Sequence, residues 1–455
     1  MSKEILFKTI KGEKTERVPW VPFVGIHAGK LLGYTAREVL TDGDKLFDSL
    51  KEAKKLYVPD GMPVIFDLQV EAEVLGCELY WSEDTPPTVK THPFAGDNKG
   101  IPCACKIPKD PTGRIPLILD VMRRMKKEVG DEVALYGLIC GPFTLASHLR
   151  GSEIFMDMIM DEDYLKELME FSTEVCMAMT DHYIDAGMDI IALVDPLVSQ
   201  VSPSHFESLL APYFKSVFDY IKSKNAISSF FVCGNATHQI EPMCRTNPDS
   251  ISVDENVDII KAKNITDKYG ITIGGNIPLT TTMLFGTQMD NMKYVVDLLD
   301  NISHDHLIIS PGCDMPYALP IENVIGAANG VIQTDSSREM VKNYTSEATD
   351  VDVVLPDYNN LNKVLIELFT LDSDSCAACT YMLKSVVDIY DEIKDIADYV
   401  EHKYTTREGV ARVKKMGNIT NLPTMCINGE VVYISIIPDR NELIAKVKEY
   451  AQKLI

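Results

Sequence analysis

With 455 residues, 45% of them hydrophobic and 24% charged, the chain has the make-up of a soluble globular protein and is too long for one ordinary domain. Its formal net charge of -23 argues against nucleic acid and against an anionic membrane surface, because phosphates demand clustered Lys and Arg. No apolar run reaches the roughly 18 residues of a spanning helix and no signal-peptide pattern follows Met1, so a cytoplasmic location is expected. In a reducing compartment the eleven cysteines read as core residues, metal ligands or redox groups, not as a disulfide framework.

Residues 3–17 form a short charged segment suited to closing one end of a barrel, and Val18–Ile26 is the first apolar run. Strands are expected at Met62–Leu68, Val133–Ile139, Asp189–Asp195, Ile227–Cys233, Ser250–Glu255, Ile271–Asn276 and Leu307–Cys313, eight with the first run. Stretches of helical spacing lie between most of them, such as Tyr164–Ala186 and Pro203–Ser223. Alternation of this kind predicts a (β/α)8 TIM barrel, whose chemistry gathers at the C-terminal strand ends. That rule alone nominates His27, Asp67, Asp195, Cys233, Asp254 or Glu255, Asn276 and Cys313. The segment Glu71–Asp131 exceeds a simple crossover and reads as an excursion over part of the barrel mouth, with Cys103 and Cys105 as free thiols.

The run Ser229–Asn235 ends on Cys233, Gly234 and Asn235, and period-two alternation places Phe231 and Cys233 on one side of its strand. Leu307–Cys313 repeats the design with a Pro-Gly break before Cys313. Two thiols at matched strand ends can meet across a barrel mouth, or each can be an inert core cysteine.

Residues 336–360 are mostly polar and mark a boundary, giving a barrel over 1–340, a linker over 341–359 and a second domain over 360–455. There, Lys363–Thr370 reads as a strand, Cys376-Ala377-Ala378-Cys379 opens a helix to about Ile393, and another strand ends near Tyr404. A short helix over Thr406–Lys415, a hairpin over Met425–Ser435 turning at Asn428-Gly429, and a final helix over Asn441–Ile455 complete it.

A strand, a CxxC opening the next helix and a later Leu422-Pro423-Thr424 before a hairpin resemble thioredoxin-like α/β domains. The resemblance implies a cis Pro423 packed against Cys376 and Cys379, with Cys376 as attacking thiolate and Cys379 resolving the mixed disulfide. A zinc half-site or a structural module is the alternative.

The barrel resembles the uroporphyrinogen decarboxylase superfamily, in particular its zinc-dependent, corrinoid-linked methyltransferases. Thr15–Pro19, Cys140–Ala146, Asp195-Pro196, Val232–Asn235 and Ser310–Cys313 carry the likeness. It implies zinc held by Cys233 and Cys313, and methyl transfer between a small-molecule donor or thiol acceptor and a corrinoid on another protein. Asp195, before Pro196 at a strand end, reads as a catalytic, substrate-binding or supporting carboxylate, with loop capping as the alternative. The histidine of the family's His-x-Cys motif is replaced by Phe231, so a third ligand is needed. Glu255 is the first choice, ahead of Asp254, His27, His238 and Asp195. No Asp-x-His-x-x-Gly corrinoid motif is present. A redox-regulated Cys233/Cys313 dithiol served by the thioredoxin-like domain is a second possibility. Decarboxylation is a third, weakened by the lack of arginine in Gly25–Lys30.

Overall fold

The structure, a computed structural model, describes residues 2–346, 351–373 and 376–454. Within the expected linker, residues 347–350 lie outside the described ones, as does Ile455 at the end of the expected last helix. The chain divides into two compact units, Met1–Ser346 and Glu347–Ile455. No described helix is long and apolar enough to cross a membrane.

In the first unit, β1 (Gly61–Pro63), β4 (Ala134–Cys140), β5 (Ile190–Val194), β6 (Ile227–Val232), β7 (Ser250–Val253), β8 (Thr272–Ile277) and β9 (Leu307–Pro311) form one parallel sheet in chain order. Between β1 and β4 lies a two-stranded ribbon of β2 (Leu79–Tyr80) and β3 (Thr88–Val89). The first apolar run is not a regular strand, because Pro19 and Pro22 lack the N–H that a ladder needs. It still joins the two sheet edges. Trp20 bridges Ile309 in parallel. The Val21 and Ile309 amides donate to Ile309 O and Pro19 O, each at 3.0 Å, and Asp60 N donates to Trp20 O at 2.9 Å just ahead of β1. The result is an α/β fold consistent with a TIM-like barrel.

Tyr136, Leu138, Ala192, Val194, Phe231 and Ile308 turn into one buried interior cluster, which Leu6 and Ile10 of the helix Ser2–Ile10 join. Large branched and aromatic side chains fill such an interior, so it is a packed core and not a pore.

Three further expectations need correction. The strand expected over Met62–Leu68 stops at Pro63, because the Asp67 carboxylate accepts Gln69 N (2.9 Å) and turns the chain into the helix Val70–Val74. The helix expected over Pro203–Ser223 is broken by a wider turn at Phe206–Leu210 before Ala211–Ser223, where Pro212 withholds an N–H. In the second unit, the helix expected to reach Ile393 ends at Val387, and a separate turn, Tyr390–Ile393, follows.

The second unit holds a mixed sheet in the order β11-β10-β12-β13, built from β10 (Val364–Thr370), β11 (Ala397–Lys403), β12 (Thr424–Ile427) and β13 (Glu430–Ile434). β10 runs parallel to β11 and antiparallel to β12. Alternation along β10 sends Val364, Ile366 and Leu368 into a core with Met382 and Val386 of the helix Ala377–Val387 and with Leu443 and Val447 of the helix Arg440–Gln452. Asn428 and Gly429, at φ 51° and 79°, form the two-residue turn between β12 and β13, since both central positions of that turn need positive φ.

Candidate functional site

The site begins with parity. Phe231 on β6 faces the interior, so Cys233, two residues on and just past the strand end, lies on the same side. On the other flank, Gly312 N donates to Ile277 O at 3.0 Å, carrying the β8–β9 pairing beyond Pro311 and delivering Cys313. The sulfurs of Cys233 and Cys313 meet as a disulfide pair, with Cα atoms 6.1 Å apart and a sequence separation of 80. Because β7 and β8 stand between β6 and β9 in the sheet, the pair spans the mouth. Both cysteines are half-buried against the interior cluster.

Glu255, two residues past β7, runs beside this pair: a Cβ added to Gly312 would sit 2.7 Å from Glu255 N. Its carboxylate accepts Leu279 N. Burial, reinforced by Asp254, pushes the Glu255 carboxyl up to about 8. Asp254 accepts Asn256 N at 2.9 Å and Asn256 Nδ2 at 2.5 Å. Asn276 donates Nδ2 to Asp254 O (3.0 Å) and Val257 O (2.6 Å), while its buried Oδ1 has no partner among the described residues. Ser310 Oγ and Asp314 Oδ1 are likewise unpartnered. Burial holds Asp314 well above the carboxylate range, and Asp67 adds to this.

The other nominated residues are engaged elsewhere. Asp195 is fully buried and accepts Phe143 N (2.9 Å), Thr144 N (3.1 Å) and Thr144 Oγ1 (2.6 Å), fixing the start of the helix Pro142–Arg150. Burial pushes its carboxyl up to about 7 against the pull of those donors. Asp67 pairs with Arg114 at 2.6 Å. His27 is buried between Tyr57 Oη (2.8 Å) and Tyr317 O (3.3 Å), and burial pushes it down to about 4. His238 is exposed on the turn Thr237–Gln239.

Two cysteine thiols and a carboxylate are donor types that zinc takes. The structure brings the two sulfurs together, and the third donor is not yet gathered with them: among the described residues no three His, Cys, Asp or Glu side chains converge as a metal set. Position 231 cannot supply it, because the Phe231 ring packs on Phe23 and Phe66 at 4.8 and 5.8 Å between centroids.

Sequence reasoning did not single out Ser310, Asp314 or Glu71. Parity from Ile308 could have found Ser310. Glu71 is 1% exposed, with one carboxylate oxygen accepting Cys140 N at 3.3 Å and the other unpartnered. No local signal announces a carboxyl buried behind a strand end.

In the second unit Cys376 caps the helix Ala377–Val387, its sulfur accepting Cys379 N at 3.4 Å. Cys379 is buried, accepts Leu371 N at 3.4 Å, and is held well above the usual thiol range, first by burial and then by Cys376. The Leu422–Pro423 bond is cis. Cys426 is buried on β12, and burial pushes it up to about 12. Cys103 and Cys105 are exposed and free.

Residues 1–329 match the uroporphyrinogen decarboxylase (URO-D) family. The methylcobamide:CoM methyltransferase MtbA of Methanosarcina acetivorans is 26% identical over 342 residues, covering 71% of this chain and 95% of that protein. Its namesake from Methanosarcina mazei is 27% identical over 330 residues with the same coverage. A uroporphyrinogen decarboxylase of Prochlorococcus marinus is 23% identical over 343 residues, 71% of this chain and 94% of that protein. A solved methyltransferase from Methanosarcina mazei shares the fold, with a TM-score of 0.66 at 24% identity, covering 75% of this chain and 99% of that one. The chain is an enzyme, and it belongs to the uroporphyrinogen decarboxylase (URO-D) family.

Proposed function

We propose that the enzyme moves a methyl group between a corrinoid carried by a separate protein and the sulfur of a small thiol. The observation that carries this reading is the meeting of Cys233 and Cys313 at the C-terminal ends of β6 and β9, where a barrel of this class does its chemistry. The methyltransferases among the relatives support it. With the Cys233–Cys313 pair reduced to two thiols by an external dithiol, Cys233, Cys313 and Glu255 would hold zinc, with Glu255 turning from Leu279 N toward the sulfurs. A zinc so held supplies a substrate thiolate at neutral pH, by lowering the thiol's pKa.

The chain's own residues do the rest. The thiol's proton would pass to solvent on binding, and its sulfur would form the new carbon–sulfur bond as the carbon–cobalt bond breaks, the electron pair of that bond staying with the corrinoid. Phe23, Phe66 and Phe231 close the floor beneath the sulfurs and keep water from competing with the thiolate. Asp195 acts from behind, holding the Pro142–Arg150 helix at the rim through three accepted hydrogen bonds. Decarboxylation of a polycarboxylate is less well served, because such a substrate needs cations and the carboxyls of Asp254, Glu255 and Asp314 lie at these strand ends.

The second unit reads as a thioredoxin-like domain, supported by its mixed sheet, the CxxC at a helix start and the cis Pro423. In such a domain the Cys376 thiolate attacks a disulfide, and Cys379 then displaces the mixed disulfide. The target's two thiols are released reduced and the CxxC is left oxidised, to be re-reduced by an external dithiol. The contact between the Cys233 and Cys313 sulfurs also favours a second reading, in which this pair is a reversible disulfide of that kind.

Zinc analysis of protein purified under reducing conditions, with methylcobalamin demethylation by added thiol, tests the choice. About one zinc per chain and thiol methylation, both lost in a Cys233→Ser, Cys313→Ser variant, are expected. No zinc, no methylation and a Cys233–Cys313 disulfide in the native protein would overturn methyl transfer in favour of the redox reading.

A further inference from the structure

We infer that the thiol methylated at this site carries an amino group, and that Asn276 and Ser310 receive it. The inference rests on the methyl-transfer reading and names its acceptor class.

Gly274 pairs with Ile308 and, two residues on, Asn276 pairs with Ser310. Ile308 belongs to the interior cluster. The period of two therefore places Asn276 and Ser310 side by side on the inner surface, at the mouth end of β8 and β9. Cys313 follows three residues after Ser310.

Both side chains are almost wholly removed from solvent, Asn276 at 2% and Ser310 at 1% exposure, yet among the described residues Asn276 Oδ1 and Ser310 Oγ have no hydrogen-bond partner. Asn276 cannot answer by turning over its amide: Nδ2 is committed to Asp254 O and Val257 O, so the oxygen is fixed as an acceptor. A buried acceptor left unmet destabilises the fold, so Asn276 Oδ1, with the Ser310 hydroxyl beside it at the mouth, is readily explained by a ligand that donates.

The unmet atoms select the ligand's head group. Asn276 Oδ1 can only accept, and Ser310 Oγ can accept as well. An amino group brings several N–H donors to the two oxygens, a hydroxyl brings one, and a sulfonate or carboxylate brings none. The acceptor is accordingly an aminothiol.

Three thiols with the same two-carbon spacer separate the possibilities: 2-aminoethanethiol, 2-mercaptoethanol and 2-mercaptoethanesulfonate. Methyl transfer from methylcobalamin is measured for each. Binding of their S-methyl products is measured by calorimetry, a readout that needs neither corrinoid nor turnover. The amine is expected to be preferred over the alcohol by about tenfold or more in both assays, with the sulfonate last, and the preference is expected to collapse in Ser310→Ala. Equal use of all three, or preference for the sulfonate, overturns the amine assignment and leaves methyl transfer standing. Methylation of none of them overturns the methyl-transfer reading beneath it. An amine preference that survives Ser310→Ala overturns the assignment to this residue pair. The head-group comparison on the unmodified protein needs no variant to fold.

Discussion

The Phe231 ring lies 4.8 Å from that of Phe23, centroid to centroid, two residues before Cys233 on the same face of β6. A residue that could have been a ligand is instead part of the floor under the sulfurs. Both rings are almost fully buried, which commits the position to packing.

Exchanging the roles at this position gives a direct prediction. Phe231→His removes aromatic packing and adds a nitrogen donor beside Cys233. Stability is expected to fall by about 1–3 kcal/mol, the usual cost of placing a polar group in a core. Zinc retention during dialysis against a chelator is expected to rise at least tenfold, because an imidazole joins Cys233, Cys313 and the Glu255 carboxylate as a further donor. Urea melts and metal analysis of the same preparations give both numbers. Unchanged zinc retention would count against a metal at this pair.

Gly25 and Asp314 form a second tight relationship. Gly25 has φ 38°, a left-handed conformation, and a Cβ there would run into the Asp314 carboxylate. Gly25→Ala is expected to lose about 1–3 kcal/mol through strain. Asp314→Ala clears the clash but not the backbone strain, so the double variant should recover only part of the loss, with a coupling of about 0.5–3 kcal/mol. Strict additivity in urea denaturation would show that the two do not meet.

Most of this architecture could be read from the sequence because it rests on local periods. Ile190–Val194 and Leu307–Ile309 are continuous apolar runs, and strands buried on both faces look like that. Cys233 and Cys313 were legible for the same reason, since each closes such a run. What stayed hidden depends on tertiary placement. The strand-end position of Asp195 suits a functional carboxylate and a loop cap equally, and only the fold shows Phe143, Thr144 and their N–H groups already bound to it. Whether Glu255 faces the sulfurs or Leu279 N is likewise a matter of side-chain direction, which no spacing records.

Glu71 makes stability depend on pH. Burial pushes its carboxyl from 4.5 up to about 8, so the folded state keeps a proton that the unfolded chain has released. Stability from this group is therefore full below about pH 4.5 and is lost as pH rises toward 8. The slope is at most about 1.4 kcal/mol per pH unit. Glu71→Gln keeps the shape and the acceptor for Cys140 N without the titration. It should flatten the curve over that window and be more stable than the parent at pH 8. A pH series of urea melts on both proteins checks this, and parallel curves would mean that Glu71 does not titrate with folding.

Asp195 can be tested as a positioning residue against a catalytic one. Its carboxylate meets two backbone N–H groups and the Thr144 hydroxyl, all inside the protein. Asp195→Ala strands these donors and is expected to destabilise by about 2–4 kcal/mol, with methyl transfer falling as the Pro142–Arg150 helix loses its anchor. Asp195→Asn retains an oxygen for the backbone donors, and Thr144 Oγ1 can turn to accept from the new amide. Asn is about as good as Asp at a helix start, so the expected loss is about 1 kcal/mol, with most of the rate restored. A group that moves a proton in the reaction would behave differently, since the amide cannot carry one and the rate would collapse in both variants. Recovery by asparagine, measured as kcat at saturating thiol beside urea melts, therefore separates a carboxyl that holds the rim from one that takes part in the chemistry.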